Sequence, residues 1–314
     1  MKAAPALIGV LALAAAAPAA DEPPALADLL VHAGKYVRGF QHDFATVLSD
    51  ETYVQRERYS LRIAGKEKVT SAERTMRSEM LFWWMPAERE WLAVRNVLAV
   101  DRQPIADSRA RLEQWLTSAE PGAMGRLRNL RDESARFNIG RLTRNLSDPT
   151  LALKIVDPAH QPRFAFMLLG GESIDGISVL KVAFVERGHA PAMISVDGHG
   201  VTSRGAVWMT QSGIIMRTRL ELTDPQTLID VSMSVFYGRD PKLVGWLPIR
   251  MDEEYSQHMD DPSAAQLRTQ ATGGGTVNGR TFVVMDGFSE TIACSATYSN
   301  YRRFETSGRI VPPH

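Results

Sequence analysis

Seven histidines, one cysteine and 36 carboxylates bound the chemistry that this 314-residue chain could do. His32, His42, His160, His189, His199, His258 and His314 form neither an H-x-x-x-H nor an H-E-x-x-H pattern, so the helical zinc signature is missing. His189 and His199 stand in turn-like stretches, Gly188-His189-Ala190-Pro191 and Asp197-Gly198-His199-Gly200. Two such imidazoles could share a metal or simply face solvent. Glu253-Glu254 and Asp260-Asp261 surround His258. Clustered carboxylates suit a hard cation, but the spacing is not that of a calcium loop, and a solvated strand end explains it as well. Gly-x-Ser-x-Gly, the usual signal of a hydrolase nucleophile elbow, does not occur. Gly273-Gly274-Gly275 lacks the Gly-Lys-Ser/Thr of a phosphate loop. Cys294 lies in Ile292-Ala293-Cys294-Ser295-Ala296 and shares strand parity with Ile292 and Ala296, as a small buried hydrophobe would. A nucleophilic role would need a base beside it in space. The reading is therefore non-enzymatic, with no catalytic residue, metal or cofactor assigned. A hydrolase whose site is assembled only in space is a third reading.

The residues suited to binding are apolar and basic. Phe164, Phe166, Leu168, Met209 and Met216 are of the types that line adaptable apolar pockets, and equally fit an ordinary core. Arg126, Arg128 and Arg131, with Arg136, Arg141 and Arg144, surround an apolar stripe of Met124, Leu127, Leu130, Phe137 and Leu142. A basic amphipathic helix can lie on an anionic membrane surface or an envelope protein partner, or present a solvated face. In Trp83-Trp84 one ring is expected to enter the core and the other to face solvent or a partner, because successive strand residues point to opposite faces.

These residues travel on a chain addressed for export. Lys2 precedes an apolar run at residues 6–17 and the small residues Ala17-Pro18-Ala19-Ala20, with Asp21-Glu22-Pro23-Pro24 following. That is the layout of a signal peptide, residues 1–20, cleaved near Ala19 or Ala20, and it implies a periplasmic or secreted protein. The apolar run is too short for a membrane span. Lys+Arg and Asp+Glu both number 36, and removing residues 1–20 takes away one Lys and no acid. No global field draws nucleic acid. A single cysteine allows no internal disulfide, so the fold stands on packing.

Periodicity orders the elements. Residues 25–43 place Leu26, Leu29, Leu30, Ala33, Val37 and Phe40 on one helical stripe. Residues 44–63, 74–85 and 91–100 read as strands, with a turn at Pro86-Ala87-Glu88-Arg89. Residues 108–118 and 149–156 read as helices, and 124–146 as one longer helix or a broken pair, with Ser147 or Asp148 capping the last and Pro149 in its first turn. From Arg163 onward the period is two, with a hairpin at residues 205–222 in which Ile214, Met216, Thr218, Leu220 and Leu222 face one way. Strands follow at 229–237, 246–255 and 280–304. The expected class is α+β: one curved antiparallel sheet with an N-terminal helix and an inserted helical lid. The chain divides into the signal peptide, one domain at 21–307 with a helical insertion at 108–157 and a flexible loop at 260–279, and a disordered tail at 308–314. A split near Pro104 or Pro162 into two domains stays open.

The C-terminal half carries a resemblance. Gly176-Ile177-Ser178-Val179-Leu180-Lys181-Val182 precedes the hairpin Ala206-Val207-Trp208-Met209-Thr210-Gln211-Ser212-Gly213-Ile214-Ile215-Met216-Arg217, and then Gly245-Trp246-Leu247-Pro248-Ile249. This order resembles the periplasmic lipoprotein-carrier superfamily, the LolA/LppX-like half-barrels. It implies a strongly curved antiparallel sheet, residues 25–43 as first helix, helices from 108–156 plugging the concave face, and a cavity for acyl chains or another apolar ligand. This chain is much longer than the carriers and has Thr210-Gln211 where they have acid-Pro, so no gating residue transfers. Because one fold hosts many functions, lipoprotein sorting itself is not implied. Two functions follow as expectations: an exported protein binding a lipid or acylated ligand under a helical lid, or an envelope scaffold with a filled core.

Overall fold

The computed structural model describes residues 25–63, 65–117, 123–142, 144, 146–188, 192–196, 199–243, 245–260, 276–277, 280–281 and 285–303. The expected signal peptide, Gly273-Gly274-Gly275, His189 and the tail at 308–314 lie outside the described residues. Helix α1 (Leu26–Asp43) leads into β1 (Thr46–Ile63), β2 (Lys66–Met85), β3 (Glu90–Val100) and β4 (Gln103–Pro104). An insertion follows, with α2 (Ser108–Thr117), α3 (Ala123–Ser134), a 3-10 turn (Ala135–Phe137) and the single turn α4 (Leu153–Val156). A second 3-10 turn (Gln161–Arg163) enters β5 (Phe164–Ile174), β6 (Ile177–Glu186), β7 (Ile194–Val196), β8 (His199–Val201) and β9 (Ser203–Met209). The last strands are β10 (Ile215–Asp224), β11 (Ile229–Asp240), β12 (Gly245–Asp260), β13 (Thr276–Val277), β14 (Arg280–Thr281) and β15 (Met285–Arg303).

Eleven strands form one antiparallel sheet in the order β4-β3-β2-β1-β15-β12-β11-β10-β9-β6-β5. The sheet is not closed: β4 and β5 are its two ends, giving a curved half-barrel. The small pairs β7–β8 and β13–β14 stand apart from it; β13 falls within the stretch read as a flexible loop, and β14 just after it.

The inner face carries the main core. Alternation delivers Met76, Met80 and Phe82 of β2, Trp91, Ala93 and Val97 of β3, and Ile292, Cys294 and Ala296 of β15 to it. Helix α1 lies against this face because Leu29, Ala33, Val37 and Phe40 recur at helical spacing and are all buried. Burying side chains of this kind contributes roughly 1.5–3 kcal/mol each. Gly34 lets the helix approach residue 158, since a Cβ there would sit 2.6 Å from Pro158 Cγ. The Gln161 amide ties the two together by donating to Leu30 O (3.0 Å) and Val156 O (2.8 Å).

The helices between β4 and β5 divide between the two faces of the sheet. Leu112 of α2 and Leu127 and Leu130 of α3 pack against Leu48, Leu81, Met85, Leu92 and Val94, the outward-facing set of β1–β3. Only the segment after α3 reaches the inner face, where Leu142, Leu153, Ile155 and Val156 join the main core. Of the two forms expected for 124–146, one long helix is not found: α3 stops at Ser134, and the described residues among 138–152 run without a regular helix. Trp84 turns inward to meet Trp91 at a tilt (ring centroids 5.4 Å apart), while Trp83 packs on the outer cluster with α2 and α3 rather than facing solvent. Strand β2 begins eight residues before the expected start, because residues 66–73 pair with β1 although they are exposed and carry no apolar alternation.

A β-bulge changes one further expectation. Met209 pairs with Ile215 and Trp208 with Arg217, leaving Met216 as the extra residue. Ile215, Leu220 and Leu222 therefore share the main core, whereas Met216 joins Trp208, Val179 and Ala206 in a small outer cluster. Cations cover that outer surface: Lys181 and Arg217 flank the Trp208 ring, and Arg217 and Arg250 flank Phe236, at 4.0–4.9 Å from the centroids. At the open end, Met167, Leu169 and Val185 of β5 and β6 form an exposed apolar stripe.

Gly140 permits the segment after α3 to settle on the sheet. Its φ is +83°, and a Cβ there would lie 2.5 Å from both Glu290 Oε1 and Ile292 Cδ1. Gly140→Ala is expected to cost about 1–3 kcal/mol in urea unfolding, from a left-handed backbone and a contact that must open; an unchanged midpoint would refute this account of the approach.

Candidate functional site

The inner face is not uniformly apolar at its centre. Glu51, Tyr53, Gln55, Glu57 and Tyr59 alternate along β1 and meet Glu253 and Tyr255 of β12 and Glu290 of β15. Arg95 of β3 closes a bidentate pair with Glu51, Nε to Oε2 at 2.6 Å and Nη2 to Oε1 at 2.8 Å, and both side chains are almost wholly buried. Its guanidinium also lies 4.1 Å from the Tyr53 ring centroid. Glu253 accepts from the hydroxyls of Tyr53 (2.9 Å), Tyr255 (2.7 Å) and Ser147 (3.0 Å). Burial, reinforced by Glu253, pushes the Tyr53 and Tyr255 hydroxyls well above the usual phenol range, so they act as donors.

The segment after α3 is held by this polar centre. Arg144 donates through Nη2 to Gln55 Oε1 and to Ile139 O (3.0 Å), and through Nη1 to Cys294 Sγ (3.4 Å). Gln55 returns a bond from Nε2 to Phe137 O (3.3 Å) and accepts from the Ile139 N–H (3.2 Å). Glu290 Oε1 accepts the Arg141 N–H at 2.7 Å. Cys294 is buried, and burial pushes its thiol up to about 11, which keeps it protonated.

Between this segment and β2–β3 lies a cavity of about 410 Å³. Met80, Trp91, Ala93 and Arg95 form its sheet wall. Arg131, Asp132, Ser134 and Ala135 stand at the end of α3, and Arg144, Leu146, Ser147, Asp148 and Leu151 come from the following segment. Lys154, Glu90, Met193 and Ile194 complete the far side. Most of its charges are locally paired: Lys154 with Glu90 at 2.8 Å, Arg131 with Asp132 at 2.9 Å and Arg95 with Glu51. Asp148 accepts from the N–H and the hydroxyl of Thr150, yet burial outweighs those bonds and raises its carboxyl above the usual range. The volume falls within the roughly 300–1,000 Å³ typical of small-molecule sites.

The five residues suited to a pocket take different places. Phe164 and Met209 are fully buried in the main core, and Phe166 and Leu168 pack against it. Phe164 meets Phe184 edge-on at 5.8 Å. Met216 lies on the outer face. None of the five lines the cavity. Of the basic helix, Arg128 sits 3.8 Å from Glu88, and Arg131 reaches the cavity rim. The acid cluster around His258 is divided by strand alternation, Glu253 facing inward while Glu254 and His258 are exposed. Among the described residues no three His, Cys, Asp or Glu side chains gather to hold a metal. Nor, among them, is any helix long and apolar enough to cross a membrane. Arg95 escaped the sequence reading; its signal was a lone cation at an inward position of the apolar run Trp91-Leu92-Ala93-Val94-Arg95-Asn96-Val97.

Two substitutions test this geometry. Arg95→Met leaves Glu51 buried without its partner and is expected to cost about 3–5 kcal/mol, with Glu51→Leu/Arg95→Met recovering most of it; a single-variant loss below about 1 kcal/mol would show that the pair is not desolvated. Glu57 faces Glu290, and burial together with that neighbour raises its carboxyl above the usual range. The folded state then holds the Glu57 proton more tightly than the unfolded chain. This contribution favours folding at acid pH and is lost as pH rises from the usual carboxylate range through the raised value. Glu57→Gln is expected to raise the Tm at pH 7 but not at pH 4; equal shifts at both would contradict the assignment.

No family model matches the chain, and no curated protein does. Solved structures do overlap with it. They include a structure described as an outer membrane lipoprotein-sorting protein domain from Vibrio parahaemolyticus, 11% identical, covering 86% of this chain and 93% of that one at a TM-score of 0.28. A DUF1329 family protein from Desulfovibrio piger is 12% identical and covers 88% and 93% at 0.24. Lipovitellin is 9% identical and covers 84% and 26% at 0.29. Overlaps at these TM-scores carry no argument about ligand or activity, and the fold stands as the open antiparallel half-barrel given by its own strand order.

Proposed function

We propose that this chain is an exported envelope protein that binds an acyl-bearing ligand, without transforming it, in the cavity between residues 138–151 and strands β2–β3. The observation that supports this most is the cavity itself: about 410 Å³, with Met80, Trp91, Ala93, Leu146, Leu151, Met193 and Ile194 as its apolar surface. Contact with those side chains removes alkyl surface from water at about 25 cal/mol per Å². The leader-like residues 1–20 support delivery to the envelope.

A second reading, an interaction protein with a filled core, draws support from two observations. The centre of the inner face is closed by the bonds of Arg144, Gln55 and Glu253, and Met167, Leu169 and Val185 leave an apolar stripe at the open edge. One experiment separates the two. The chain is produced with its own leader, recovered without detergent, and examined by native mass spectrometry with lipid extraction. A stoichiometric acyl compound, lost in Leu151→Asp and Met193→Asp while the circular dichroism spectrum is kept, is the expected result. A clean apo mass with no uptake of added palmitate would replace acyl binding by the interaction reading.

A further inference from the structure

Resting on that reading, we infer that the cavity recognises its ligand through a compact anionic head, a carboxylate or a phosphate monoester on a single alkyl chain, held by Arg144 and Trp91. Two buried donors carry the inference. Arg144 is 3% exposed and Trp91 5%, and both line the cavity. Arg144 Nε and Trp91 Nε1 have no hydrogen-bond partner among the described residues. Buried donors are normally satisfied, and leaving one without an acceptor is costly. Two on the wall of one cavity mark where an acceptor belongs.

The charge of that acceptor follows from what surrounds Arg144. Among the described residues its guanidinium bonds neutral groups: Gln55 Oε1, Ile139 O and Cys294 Sγ. The buried carboxylate near it, Glu253, is taken by the hydroxyls of Tyr53, Tyr255 and Ser147. The other cations at the cavity each have a carboxylate in contact, Arg95 with Glu51, Lys154 with Glu90 and Arg131 with Asp132. Arg144 is thus the cavity's cation without a carboxylate contact among the described residues, and charge-assisted bonds to an anion are the strong ones. The number of chains follows from volume, since about 410 Å³ lies near the small end of ligand sites.

The test is a titration of the whole mature chain, below micelle concentrations, with palmitate, hexadecyl phosphate and methyl palmitate. One or both anions are expected to bind at least about tenfold more tightly than the ester. Arg144→Met and Trp91→Phe should each shrink that preference to under about threefold, read as the ratio of anion to ester affinity within each variant. Trp91→Phe keeps an aromatic side chain on the wall while removing the N–H together with the five-membered ring that carries it, so its anion-to-ester ratio remains informative if Arg144→Met does not fold. Preference for palmitate alone assigns a carboxylate, and preference for hexadecyl phosphate alone assigns a phosphate. Equal affinity for ester and anions, or a preference that survives in Trp91→Phe, overturns the head-group inference while acyl binding stands. Failure of all three probes to bind overturns both.

Discussion

The constraint on which the rest of this structure depends is the desolvation of charge at the middle of the inner face. Glu51, Glu253, Glu290, Arg95 and Arg144 are all nearly inaccessible to water. Buried ions of this kind persist only when most of their oxygens and N–H groups have partners, as all but Arg144 Nε and Glu290 Oε2 do here. The sheet cannot supply those partners alone. Ser147, Ile139, Phe137 and the Arg141 N–H supply them from the segment after α3, which explains how an irregular stretch can lie inside a β-rich core. Its backbone groups are satisfied by side chains of the sheet instead of by a helix. An all-apolar inner face would have been easier to cover, but by almost any segment; the polar centre selects this one.

The outer face is stabilised differently. There α2 and α3 add a second apolar layer over β1–β3, while the other half of the sheet stays wet under alternating cations and aromatic rings. The chain thus has one face sealed by a specific polar fit and one by two unrelated devices. The cavity lies where the insertion passes from the end of α3 to the inner face, along the β3 side of the sheet. That crossing brings Arg131 and Trp91 to the same hollow.

Much of the architecture was legible in the sequence, and what was hidden has physical reasons. Period-two alternation from Arg163 onward and the helical stripe from Leu26 to Phe40 report burial directly, so β5, β6, β9–β12 and α1 could be read from residue type, whereas the short pair β7–β8 could not. Residues 66–73 gave no such report, because strand pairing there is a backbone matter with both faces in water. The basic stretch after Ser134 has helical composition, but tertiary hydrogen bonds from Gln55 and Glu290 override that propensity. Met216 was placed on the wrong face by a bulge, which shifts parity without any mark in composition. The cavity was the least legible of all. Its wall combines positions 80, 91, 144 and 151, and only the fold makes them neighbours.

The sheet order also has a kinetic meaning. Strand β1 is flanked by β2, its immediate successor, and by β15, whose residues 285–303 come last among the described elements. Asp50 meets Ser299 across that junction, so the middle of the sheet is stitched by contacts between opposite ends of the chain. Such pairing carries the loop-closure entropy of most of the polypeptide and slows assembly. A ribosome or a translocation channel that has released only the first 280 residues holds a β1 with one long edge still open. In that interval β15 is missing from between β1 and β12, so the runs β1–β4 and β5–β12 lack the strand that joins them into one sheet.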